Sequence, residues 1–126
     1  MKLKESGEMY LETVYILSRS GEVRSIDIAE KLGYSRPSVS RAIRVLEKDG
    51  YLSIGEKSRV KLTEKGLASA RTTYERHRTL KSLLLSLGVN EEIAENDACR
   101  IEHVISEETF DAIKNKMKAS EETKTI

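Results

Sequence analysis

The chain has no tryptophan, a single phenylalanine, one proline and one cysteine among its 126 residues. Each scarcity excludes something. The lone Cys99 cannot close an internal disulfide, which leaves it as a small buried side chain, a reactive thiol or a metal ligand. Aromatics at 5% and only seven glycines argue against a sandwich or barrel and for an all-helical protein. No apolar run approaches the length that crosses a bilayer and no signal peptide is visible, so the expected compartment is the cytoplasm, with no membrane partner. No phosphate-binding glycine loop and no nucleophile and base pair accompany the polar motifs, so the chain does not read as an enzyme.

What is abundant is charge, at 34% of residues with a net value of only +1. Its distribution carries the information. Residues 23–62 hold nine Lys/Arg against five Asp/Glu, whereas residues 91–108 hold seven acids with Arg100 as the single base. A basic N-terminal half and an acidic later segment suggest different partners for the two ends.

Apolar spacing and capping residues predict a helix from about Ser6 to Ser18 and a short one from Ile26 to Leu32, capped by Ser25 and stopped at Gly33. Tyr34-Ser35 forms a turn, and Ser35 with Pro37 opens a third helix whose Val39, Ile43 and Leu46 face inward. This is the layout of a helix-turn-helix. Tyr51 to Ile54 and Arg59 to Leu62 alternate around Gly55-Glu56-Lys57-Ser58, the signature of a small hairpin wing. Thr63 starts a long helix that reaches Gly88, Asn90 caps the next, and a last helix covers about Ser106 to Lys118. The expected domains are a winged helix-turn-helix over 1–70, a helical region over 71–120 and a disordered tail over 121–126.

On the helix after Asn90, Glu95, Cys99, Glu102 and His103 occupy about a third of the circumference, beside an apolar stripe of Ala94, Ala98, Ile101 and Ile105. Taken singly, Cys99 and Met9 read as packing, His77 as a surface or core residue, and Glu12 and Glu95 as solvated acids. Together, Cys99, Glu102 and His103 at i, i+3 and i+4 let three donors converge on one ion. Joined to a DNA reader, that pattern suggests a metal-sensing transcriptional regulator.

The segments Glu8-Met9-Tyr10-Leu11-Glu12, Asp27-Ile28-Ala29, Ser35-Arg36-Pro37-Ser38-Val39-Ser40, Leu62-Thr63-Glu64-Lys65-Gly66, Arg76-His77-Arg78 and Asp97 through Ser106 resemble the diphtheria toxin repressor and manganese transport regulator family, in order over nearly the whole chain. The resemblance implies an all-α fold with a small β wing, in which an N-terminal winged helix-turn-helix is followed by a helical dimerisation and metal-binding region. It implies a homodimer that represses by binding a double-stranded, palindromic operator when a divalent metal is present. The primary metal ligands it implies are Met9, Cys99, Glu102 and His103. Sulfur donors favour iron(II), with manganese(II) as the alternative and other divalent transition metals as substitutes in vitro. At the ancillary site of the iron branch this chain keeps His77 but has Lys81 and Glu95 at the other positions, so a second site would draw on Glu12, His77 and Glu95.

For DNA, Ser35, Arg36, Pro37, Ser38, Ser40 and Arg41 are expected nearest the bases, with Arg44, Lys57, Arg59 and Lys61 on phosphates. The competing readings are a manganese(II)-responsive repressor of metal uptake genes, a thiol-based redox regulator acting through Cys99, and a metalloenzyme using the same ligands.

Overall fold

A computed structural model describes residues 5–124, with side chains from 6 to 119. The chain forms two compact units whose boundary falls between Thr72 and Thr73. In the first unit, α1 (Glu5–Ser18) precedes β1 (Val23–Arg24), α2 (Ser25–Leu32), α3 (Arg36–Lys48), β2 (Leu52–Ile54) and β3 (Arg59–Leu62). The long α4 (Glu64–Ser86) continues into the second unit, which also holds α5 (Glu91–Val104) and α6 (Glu107–Lys124).

Local chemistry sets the ends of α2 and α3. The Arg24 backbone N–H donates to the Asp27 carboxylate at 2.9 Å, so an acid in the first turn of α2, rather than Ser25, satisfies its N-terminus. Gly33, in the left-handed region at φ 72°, turns the chain out of α2 and donates to the Ala29 carbonyl at 2.9 Å. Ser35 then caps α3, its hydroxyl accepting from the Ser38 N–H at 3.3 Å, with Pro37 in the first turn where a missing N–H costs nothing.

The sheet is three-stranded and antiparallel in the order β1-β3-β2. Val23 pairs with Val60 on one side of β3, and Leu52 with Leu62 on the other. The wing expected as a hairpin is therefore joined by a third, two-residue strand. At its tip Lys57 and Ser58 both take positive φ in a short 3-10 turn.

Leu11, Val14, Ile28, Val39, Ile43, Leu46, Leu52 and Val60 are buried in one core, which docks α1 and the helix-turn-helix on the sheet. Each such side chain, once fully buried, stabilises by about 1.5–3 kcal/mol against conformational entropy.

In the second unit Leu80, Ala94, Ala98 and Phe110 are buried, and the small Ala94 and Ala98 suit close helix packing. Asn90 caps α5 by accepting from the Glu92 N–H at 2.9 Å, and Ser106 caps α6 through the Thr109 N–H at 3.1 Å. Lys114 pairs with Glu75, and the Arg76 guanidinium lies over the Phe110 ring. Residues 121–124, expected in a disordered tail, are helical because α6 runs on to Lys124 through good helix formers with no glycine or proline to stop it. Residues 125 and 126 of that tail lie outside the described residues. No helix among the described residues is long and apolar enough to cross a membrane.

Candidate metal centre and nucleic-acid interface

The helical spacing of α5 brings one donor atom from each of Cys99, Glu102 and His103 within 4.8 Å of one another. Glu102 is the anchor, with a side chain that is 0% exposed. Burying a carboxylate is costly unless partners compensate. One oxygen, Oε2, accepts from His77 Nδ1 at 2.8 Å. The other, Oε1, is buried and accepts no hydrogen bond among the described residues, with His103 Nε2 at 3.3 Å. A buried carboxylate oxygen left in this state, beside a thiol and an imidazole, fits a divalent metal better than it fits a packed core.

His77 lies on α4 and faces two acids. Nδ1 meets Glu102, while Nε2 meets Glu95 Oε1 at 2.9 Å. With both ring nitrogens placed to donate to carboxylates, the imidazolium is the favoured form. Its pKa is raised from 6.5 to about 9, first by the hydrogen bond to Glu102 and further by that carboxylate's charge and by Glu95, with burial opposing. Any cation that takes His77 as a ligand must therefore displace a proton.

Glu95 is shared with α4 a second time, since Lys81 Nζ lies 2.9 Å from its Oε2 and 3.8 Å from Glu91 Oε1. The Lys81 hydrogen bond, followed by that from His77, holds the Glu95 carboxyl below the usual range, and Glu95 in turn raises the Lys81 ammonium.

Of the expected metal ligands, then, Cys99, Glu102 and His103 come together on α5, and His77 with Glu95 form a neighbouring ion pair network that includes Glu102. Met9, half-buried, and Glu12, buried, lie on α1 in the first unit. Spacing along α5 by itself groups Glu102 with Cys99 and His103. Its contact with His77 depends on how α4 packs against α5, for which residue spacing along either helix gives no signal.

The expected DNA contacts lie on the outer face of α3 and on the wing. Arg36, Pro37, Arg41 and Arg44 are exposed, while Ser38 and Ser40 are partly buried. Ser35 spends its hydroxyl on the helix cap. Lys57 and Lys61 are exposed, whereas Arg59 is engaged by Glu22, with Nε 3.3 Å from the carboxylate. Val45, at 59% exposure, shares the face of Arg41 and Lys48 and was not singled out from sequence, where a lone valine on a helix suggests core. Among the described residues of the second unit, the large apolar side chains of Leu85, Leu87, Ile93 and Val104 also remain exposed.

Comparison with known proteins agrees with this division of labour. Residues 2–60 match the family model of the iron dependent repressor N-terminal DNA binding domain, and residues 63–124 match that of the iron dependent repressor metal binding and dimerisation domain. The transcriptional regulator MntR of Escherichia coli O157:H7 is 40% identical over 106 residues, covering 83% of this chain and 68% of that protein. The iron-dependent repressor IdeR of Mycobacterium tuberculosis is 38% identical over 109 residues, covering 85% of this chain but only 47% of that protein. Among solved structures, a manganese-dependent transcriptional repressor in complex with manganese aligns with a TM-score of 0.82 at 27% identity, over 89% of this chain and 52% of that one. A hypothetical protein from Sulfolobus solfataricus aligns with a TM-score of 0.70 at 27% identity, over 91% of this chain and 89% of that one. With a DNA-binding domain followed by a metal-binding and dimerisation domain, the chain belongs to the iron-dependent repressor family of metal-dependent transcriptional repressors.

Proposed function

We propose that this protein is an iron(II)-responsive repressor, binding a palindromic operator as a homodimer when metal is loaded. The observation that carries the reading is the donor cluster of Cys99, Glu102 and His103, in which the buried Glu102 Oε1 is left for a cation. Met9 would complete the set from α1. Two sulfur donors with one carboxylate and one imidazole favour iron(II) or later metals over manganese(II). When bound, the cation supplies positive charge that only deprotonated ligands can match. Cys99 must then be a thiolate, and His103 must be neutral. Glu12, His77 and Glu95 are the donors available to a second ion, with Lys81 competing for Glu95.

Donors on both α1 and α5 would tie the DNA-binding domain to the metal-binding domain. Such a tie favours DNA only by the difference in metal affinity between the competent state and the rest of the ensemble. In the competent state α3 would enter the major groove, with Arg36, Pro37, Ser38, Ser40 and Arg41 toward the bases and Ser35 holding the helix start. Arg44, Lys57 and Lys61 would meet phosphates, as would Arg59 once freed from Glu22. The exposed Leu85, Leu87, Ile93 and Val104 would contribute to the dimer interface.

Manganese(II) is the second reading, because the MntR relative is 40% identical and the oxygen-rich network of Glu102, Glu95 and His77 offers hard donors. Elemental analysis of anaerobically purified protein separates the two. Iron bound near one equivalent per subunit supports the proposal, and manganese retained in preference to iron under competition would replace it.

A further inference from the structure

Tyr34 sits in the turn that sets α3 against α2. Its backbone N–H donates to the Ala29 carbonyl at 3.1 Å, directly after the left-handed Gly33, and the residue that follows it caps α3. Its ring meets that of Tyr10 edge-on, with centroids 6.2 Å apart and planes at 62°. Its hydroxyl donates to the Sδ of Met9 at 3.7 Å, across 25 residues of sequence. Met9 and Tyr10 are adjacent on α1. One aromatic contact and one O–H to sulfur bond therefore fasten the reader turn to the helix that carries a proposed metal ligand.

We propose that Tyr34 is a positioning residue that couples metal occupancy at the Met9 sulfur to the reader turn, its hydroxyl and the metal competing for the same thioether. The inference rests on the reading of Met9 as a ligand. A thioether is a weak acceptor, and donating a lone pair to a divalent cation makes it weaker still. The hydroxyl bond and the metal bond thus disfavour each other. By linkage the antagonism is reciprocal, so the hydroxyl weakens metal binding as much as metal weakens the hydroxyl bond. Tyr34 is 45% exposed, so a released hydroxyl is taken up by water and leaves no buried group unsatisfied. What changes is the restraint on the residue beside the Ser35 cap, where the base-reading end of α3 begins.

The test uses the full chain, cobalt(II) as the probe and the variant Tyr34→Phe, which keeps the ring and its edge contact with Tyr10. The variant should bind cobalt(II) roughly two- to threefold more tightly, as suits loss of one weak hydrogen bond. Hydrogen exchange of the amides in residues 33–38 should respond to cobalt(II) in the wild type and respond less in Tyr34→Phe. Unchanged affinity with an unchanged response at the turn overturns the coupling, as does weaker binding by the variant. Met9→Leu tells the two failures apart. If Met9→Leu binds cobalt(II) as tightly as the wild type, the ligand assignment itself falls. If it binds many-fold more weakly while Tyr34→Phe behaves as wild type, the assignment stands and the coupling falls.

Discussion

Replacing Glu102 with Gln keeps the shape of the side chain while removing the charge that His77 leans on, so its effect on the metal-free protein can be worked out. The rise in the His77 pKa from 6.5 to about 9 corresponds to roughly 3 kcal/mol of favourable interaction with the imidazolium, at about 1.4 kcal/mol per unit. Glu95 supplies part of this through Nε2, so Glu102→Gln should remove about 2 kcal/mol. Solvent screening is small, because His77 is 12% exposed and Glu102 0%. The sign follows from a folded pKa raised above the unfolded one. The stabilisation is fully present below pH 6.5 and is lost as pH rises through about 9. Urea unfolding in chelator should therefore show Glu102→Gln less stable than the wild type at pH 6, with the gap closing toward pH 10. An NMR titration should find His77 nearer its ordinary value in the variant. Equal stability at pH 6, or His77 still titrating near 9 in Glu102→Gln, would mean that Glu102 does not stabilise the imidazolium.

Three further outcomes follow from other parts of the molecule. A Cβ added at Gly66 would lie 2.0 Å from the Tyr51 carbonyl oxygen, so Gly66→Ala should force α4 away from the wing and lower stability by about 1–3 kcal/mol or more, read by denaturant midpoint. The pair Met9→Asp with Cys99→Glu exchanges soft for hard donors and should shift the metal that best activates DNA binding from iron(II) toward manganese(II), an unchanged preference showing that sulfur does not set selectivity. Arg41→Ala should relax sequence preference at one position of each half-site, by about 1–3 kcal/mol for a lost guanine contact, whereas Lys57→Ala should weaken all duplexes alike and reduce the salt slope by about 1 per lost contact.

Much of this architecture was legible because its determinants are local. Ser35 with Pro37, and Asn90, mark helix starts by side-chain chemistry that works within a few residues, and both Ser35 and Asn90 act as caps in the structure. The Cys99, Glu102 and His103 grouping was legible for the same reason, since helical geometry alone converges i, i+3 and i+4. Features that depend on packing were not. Two residues, Val23 and Arg24, are too short to show strand alternation, and only pairing with β3 makes them a strand. The bridge from Glu95 through His77 to Glu102 needs α4 laid against α5, and the Tyr34 contact with Met9 needs α1 laid against the reader turn. The helical state of residues 121–124 has no apolar periodicity to announce it, and their composition holds nothing that breaks a helix.

Divalent metal is expected to license operator binding. The direct measurement is a titration of labelled operator DNA with the protein under anaerobic conditions, once with iron(II) and once with chelator. Metal contacts that favour the DNA-competent state typically contribute about 1–3 kcal/mol, so affinity should rise roughly 5- to 150-fold with iron(II). That gain should disappear when Cys99, Glu102 and His103 are replaced together by alanine. The same affinity in metal and in chelator would mean that DNA binding does not depend on metal.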